Sequence, residues 1–153
     1  MAKQTLYLED LQVGYKFTSG TYQMDEARMK AFAAEFDPQP FHLDEAAGAQ
    51  SVFKGLAASG WHTAAVSMRL LVHSDFTFAG GIIGVGGELS WPRPTRAGDI
   101  LRLEGEILEV TPSRSKPGQG MAKVRLTTLN QRDEVVQIFT PSVLLLRKNQ
   151  SAS

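Results

Sequence analysis

The sequence predicts an α+β domain in which a curved antiparallel sheet wraps around one long, buried helix. Three observations lead there. Residues 59–73 place Trp61, Ala64, Ala65, Met68, Leu71 and Val72 at helical spacing, and Arg69 is the only Lys, Arg, Asp or Glu in the run. A helix apolar over most of its circumference belongs in a core. From Ile100 onward the period changes to two: Leu101, Leu103 and Ile107 alternate with Arg102, Glu104 and Glu106, which marks strands with one dry and one wet face. The 153 residues show no internal repeat and no dividing linker. They are expected to form a single domain over 1–148 and a polar tail over 149–153.

In chain order, residues 1–14 read as an irregular lead-in. Residues 17–23 read as a first strand. Asp25 suits an N-cap and Glu26 a first turn, opening a helix to about Glu35 that gathers Met29, Phe32 and Phe36 on one side. The segment Asp37-Pro38-Gln39-Pro40-Phe41-His42 reads as a stiff loop, because two prolines oppose a helix running through it. Phe36 and Phe41 read as its apolar anchors. Asp44 starts a short helix to about Gln50. The buried helix over 59–73 begins with small residues, Ala57, Ala58, Ser59, Gly60, Ala64 and Ala65, which admit another backbone or a ligand. Residues 82–91 are glycine-rich and β-like. Strands over 100–110, 121–130 and 135–147 follow, joined by a mobile loop at 111–120 and a tight turn at 131–133. Pro141 marks an edge or a bulge in the last of them. The four strands read largely as a meander, with open edges that a second sheet can cover.

Composition narrows the function. Lys plus Arg equals Asp plus Glu at 16 each, which argues against a nucleic-acid binder. The absence of cysteine excludes disulfides, thiolate catalysis and Cys-based zinc sites. With three histidines and no HExxH, no metal site is expected. No signal peptide and no membrane-length apolar run are evident, so the expected location is the cytoplasm. The glycines at 80–81 and 84–87 do not form a strand–GxGxxG–helix unit; they read as a strand kink or a close backbone approach.

Two groups carry candidate chemistry. Asp37 and His42 lie five positions apart on the stiff segment. The plain reading is a turn cap and a loop histidine. The chemical reading is an acid–base pair that shares one water and delivers it to an electrophile. Ser59 and Gly60 open the buried helix. Ser59 reads as an N-cap, and the unpaired amides of the first turn suit a carbonyl that becomes enolate-like. Ser59 is not set in a G-x-S-x-G nucleophile elbow. Arg93 and Arg96, in a Pro-rich turn, are either solvated or phosphate-binding.

These segments together resemble a known family. Asp37-Pro38-Gln39-Pro40-Phe41-His42 resembles the D-x-N-P-x-H signature of MaoC-like dehydratases and (R)-specific enoyl-CoA hydratases. Residues 53–61 look like the segment opening that family's central helix, and residues 91–99 are similar to its R-P-V-x-x-G-D turn. The resemblance implies a hotdog fold and a homodimer or dimer of dimers. It implies hydration of a trans-2-enoyl-CoA to a (3R)-hydroxyacyl-CoA, or the reverse, with no cofactor and with CoA or acyl carrier protein as the acyl carrier. Asp37 and His42 would hold the water, the Gly60 amide would meet the thioester oxygen, and Ser59, Gln39, Arg93 and Arg96 would contact substrate. Two positions depart from the pattern: Phe36 where Gly is common, and Gln39 in place of Asn. Two rival expectations are a hotdog acyl-CoA thioesterase, in which water attacks C1, and a non-catalytic acyl-thioester binding module.

Overall fold

The computed structural model describes residues 3–148; the expected polar tail lies outside them. Five strands make one antiparallel sheet in the order β2-β5-β6-β7-β4, with β2 at Lys16–Gln23, β4 at Ile83–Ser90, β5 at Ile100–Pro112, β6 at Gln119–Leu129 and β7 at Val135–Leu146. Along most of β5 and β6 and the second half of β7 burial alternates: Leu101, Leu103, Ile107, Ala122, Val124, Leu126, Val143 and Leu145 face inward. Outward-facing Glu106 and Arg125 pair across strands at 2.8 Å, and Glu109 and Lys123 at 3.2 Å. Such exposed pairs keep the outer face wet more than they stabilise it.

Helix α4, Gly60–Val72, packs its Val66, Leu70 and Leu71 into the same core as the inner face of the sheet. This is the hotdog arrangement: a sheet curved around one helix. Helix α1, Glu26–Phe36, is capped by Asp25, whose carboxylate accepts from the Arg28 amide at 2.9 Å. Helix α3, Glu45–Ala49, is capped in the same way by Asp44.

Several expectations need correction. The lead-in is not irregular: β1, Gln4–Leu6, pairs in parallel with β3, Phe76–Phe78, and Leu8–Asp10 form a 3-10 turn. Three-residue strands carry too little alternation to be seen in a sequence. The stiff loop contains a helical turn, α2, Pro40–Leu43, with Pro40 at its first position. There a missing N–H costs nothing and the fixed φ suits the helix. The strands are not a full meander, because β4 lies beside β7 rather than β5. Pro141 therefore sits in an interior strand, opposite Gly87, and the register shift falls in β4 between Gly84 and Gly86. A side chain at Gly87 would meet the Pro141 Cα at 2.6 Å, which is the close backbone approach expected of this glycine run. The hairpin loop between β5 and β6 is shorter than expected, because both strands extend into it.

The largest correction concerns α4. Its buried side includes His62, Thr63 and Ser67, whereas Trp61 is 58% exposed, Met68 42% and Val72 48%. The buried hydroxyls are matched: Thr63 Oγ1 donates to Thr95 Oγ1 at 3.0 Å, and Ser67 Oγ lies 2.6 Å from Thr128 Oγ1. Polar residues enter a core when each finds a partner, and hydropathy spacing does not record partners. Among the described residues no helix is long and apolar enough to cross a membrane.

His62 is the exception to that matching. Its Nδ1 is buried with no hydrogen-bond partner, and its ring stacks on Phe32 at 4.7 Å. Burial holds its pKa below the ordinary value. The unfolded chain therefore binds a proton that the folded chain refuses. Stability is full above about pH 6.5 and falls as the pH drops from there toward the depressed folded value. Thermal melts between pH 7.5 and 5.5 are expected to show this loss, and His62→Gln to flatten it; an equal slope in both proteins would refute the assignment.

Candidate active site

Three segments meet at the N-terminus of α4. The first is 37–42. Asp37 closes α1, its amide donating to the Ala33 carbonyl at 2.8 Å, and α2 brings His42 round to face it. The second is the loop 53–59. Its Ala57 amide donates to the Phe41 carbonyl at 3.2 Å, and its Ala58 amide to the Thr95 carbonyl at 2.8 Å. The third is the turn 91–99, which that last bond ties in. Arg96 holds the arrangement from behind: its guanidinium donates to the carbonyls of Phe53 and Leu56.

Asp37 and His42 are in contact. His42 Nε2 lies 3.2 Å from Asp37 Oδ2, and His42 is 5% exposed. The other ring nitrogen settles the tautomer. His42 Nδ1 lies 2.7 Å from the Ala57 carbonyl oxygen, which only accepts, so Nδ1 carries a proton. The ring nitrogen left to exchange a proton with a ligand is therefore Nε2, which faces the carboxylate. When Nε2 is bare, two acceptors face each other, an arrangement that a donor such as water relieves.

The carboxylate is further held by donors. Ser59 Oγ donates to Oδ2 at 2.7 Å and Gln39 Nε2 to Oδ1 at 2.5 Å. Burial pulls the Asp37 carboxyl upward, but the bonds from Gln39 and Ser59 and the charge and hydrogen bond of His42 outweigh it. The carboxyl is held below the usual carboxylate range. Ser59 has a second task as N-cap of α4, accepting from the Trp61 amide at 3.2 Å. One hydroxyl thus couples the helix start to the carboxylate.

A cavity of about 590 Å³ opens over this group, lined by Asp37, His42, Gly60, Trp61, Trp91 and Arg93 among others. Gln39 and Thr95 also line it. The expected residues are therefore brought together with two exceptions, and Ser59, 0% exposed, reaches the site only through its bond to Asp37 rather than lining the cavity. Arg96 is used structurally and does not line the cavity. Phe36 is no anchor: it is 63% exposed, with its ring 5.1 Å from that of Phe32. Phe41 does anchor the site, edge-on to His42 at 4.7 Å and to Phe53 at 5.1 Å. Gln39 takes up the place of the usual Asn by donating directly to Asp37.

Residues 11–130 match the sequence model of the MaoC like domain. This chain belongs to the MaoC-like family. It is 57% identical to a MaoC-like dehydratase from Rhodospirillum rubrum, whose crystal structure superposes with a TM-score of 0.91 over 94% of this chain and 98% of that one. The unliganded R-hydratase PhaJ1 from Pseudomonas aeruginosa is similar at 27% identity and a TM-score of 0.72, over 95% and 89% of the two chains. An uncharacterized Bacillus subtilis protein, YdeM, is 30% identical over 142 residues, 92% of this chain and 98% of that one. The expected family and hotdog fold are thereby confirmed.

Some contributors to the MaoC-like site carry no signal that composition or spacing could reveal. The Ala57 carbonyl, which sets the His42 tautomer, is a backbone group. Trp91, which leans over Gly60, was legible only as part of a rigid turn. A side chain at Gly60 would meet the Trp91 ring at 2.6 Å, so the indole in this position requires a glycine.

Proposed function

We propose that this MaoC-like protein adds water across the C2–C3 double bond of a trans-2-enoyl thioester, giving a (3R)-hydroxyacyl thioester, or catalyses the reverse dehydration. The observation that carries the reading is the Asp37–His42 contact in the same cavity as the first amide of α4. A water held between Nε2 and the carboxylate gives one proton to the pair. Its oxygen bonds to C3, and the C2–C3 π electrons move into the thioester as an enolate. The Gly60 amide, at the positive end of the α4 dipole, stabilises the enolate oxygen. The pair then returns its proton to C2, so that water is consumed and nothing else changes.

Arg93, exposed at the cavity rim, suits the phosphates of CoA or the phosphopantetheine of a carrier protein. The protein itself supplies every acid, base and amide that the reaction uses. A short trans-2-enoyl-CoA should lose its conjugated thioester absorbance on incubation with the protein. Release of free CoA in its place would point to a thioesterase.

Self-association is part of this reading. β4 ends the sheet with an unpaired edge, Ile83 and Val85 on it are 44% and 60% exposed, and the exposed apolar side of α4 lies nearby. A second copy docked along β4 would cover both. The molar mass in solution is expected to be twice the 16.7 kDa of the chain or a multiple of that; a monomer at micromolar concentration would overturn this part.

A further inference from the structure

A second cleft lies on the other side of the α4 start. It measures about 400 Å³ and is lined by Ala64, Met68, Leu71, Leu89, Leu126 and Phe139 among others. Almost all of that lining is apolar, whereas the catalytic cavity is edged by Asp37, His42 and Arg93. Trp61 lines both volumes. Trp91 lines the catalytic cavity, and Gln137 lines the apolar cleft. Trp91 Nε1 donates to Gln137 Oε1 at 2.9 Å, and the two indoles meet edge-on, with centroids 5.3 Å apart.

The two tryptophans and Gln137 thus stand as a partition between the reacting groups and an apolar space with no assigned occupant. Gln137 is 1% exposed and Trp91 40%. One end of the latch lies in the core, and the other reaches the surface over Gly60 and Trp61. The indole has a single donor, and the latch uses it. A buried amide oxygen has to find a donor, and that of Gln137 takes the Trp91 N–H.

We infer that Trp91, latched to Gln137, sets the acyl chain length this protein accepts, by closing the catalytic cavity off from the apolar cleft. This rests on the acyl-thioester reading above. With the latch closed, a short acyl chain fits beside Asp37 and His42, and a long one has no dry space to enter. With the latch open, methylenes beyond the reacting carbons pass Trp61 into the cleft and leave water there.

The test uses saturated acyl-CoAs, which bind without turnover. Affinities for butyryl-CoA and decanoyl-CoA are measured by calorimetry with wild type, Trp91→Ala, Trp91→Phe and Gln137→Leu. Wild type is expected to prefer the short chain. Trp91→Ala is expected to shift the decanoyl-to-butyryl affinity ratio by about tenfold or more toward the long chain. Trp91→Phe keeps a ring over Gly60 but loses the N–H, and Gln137→Leu loses the acceptor; both should shift the ratio the same way. A merely structural role would weaken both ligands together and leave the ratio unchanged, which would overturn the inference, as would a wild-type preference for the long chain. If no acyl-CoA binds wild type or any folded variant, the acyl-thioester reading falls and takes the partition with it. Binding with an unmoved ratio sinks the partition alone.

Discussion

Asp37→Asn is expected to lower kcat for enoyl-CoA hydration by about a thousandfold while the fold survives. Asparagine keeps the shape of the side chain, and its carbonyl still accepts from Ser59 at the Oδ2 position. It cannot take a proton from water, and it presents no charge to His42 Nε2. His42→Ala should cost a similar factor, because the ring nitrogen free to exchange a proton is the one facing Asp37. The double variant should be little worse than either single one, since the two groups act on one water. Ser59→Ala gives a graded comparison. It removes one of the donors that depress the Asp37 carboxyl, so that carboxyl titrates at higher pH and the acid limb of the kcat/KM profile moves up. It also removes the cap of α4, at about 1 kcal/mol of stability. Steady-state rates across pH, with circular dichroism as the control for folding, decide the matter. Full activity in Asp37→Asn would remove the acid–base assignment.

Gly60→Ala is expected to cost about a hundredfold in kcat/KM. The new methyl would lie 2.6 Å from Trp91 Cε2, in the body of the indole rather than at its tip. The ring has to tilt, and the tilt breaks its bond to Gln137. The methyl also stands beside the amide proposed to meet the enolate oxygen. Alanine favours a helix over glycine, so thermal stability should change far less than activity. A variant with an undiminished rate would show that the α4 amide does not meet the reacting carbonyl. A variant that fails to fold would instead show that the Trp91 contact is a packing requirement first.

Much of this site could be read from the chain because local chemistry carries it. Asp25, Asp44 and Ser59 stand where helices start, and in each the side chain accepts from an amide of the first turn. The spacing of Asp37 and His42 across two prolines stands out from its surroundings. Alternation survives into the structure along most of β5 and β6. The misreadings share a cause. The β1–β3 pair and the β4–β7 neighbourhood are joined by contacts between segments far apart in the chain, and the partner of a strand is not written in its own period. Arg96 looked available for phosphate because its partners are backbone carbonyls 40 and 43 positions away in the turn-to-loop contact.

The opposite error occurred at α4. Its hydropathy pointed the apolar residues inward, yet Trp61, Met68 and Val72 face outward, and Thr63 and Ser67 face in. Hydrophobic spacing records which residues leave water, not whether the space they leave for is the core of one chain, a ligand cleft or a second copy.

The sequence by itself determined the fold class, the helix starts at Asp25, Asp44 and Ser59 and the pairing of Asp37 with His42, because caps, proline stiffness and alternation are local physics. Tertiary structure alone decided the rest. It chose the His42 tautomer through the Ala57 carbonyl, joined Ser59 to Asp37, withdrew Arg96 from the site and set Trp91 between two cavities. Each depends on a hydrogen bond or packing contact between residues distant in the chain, whose geometry exists only once the segments have met.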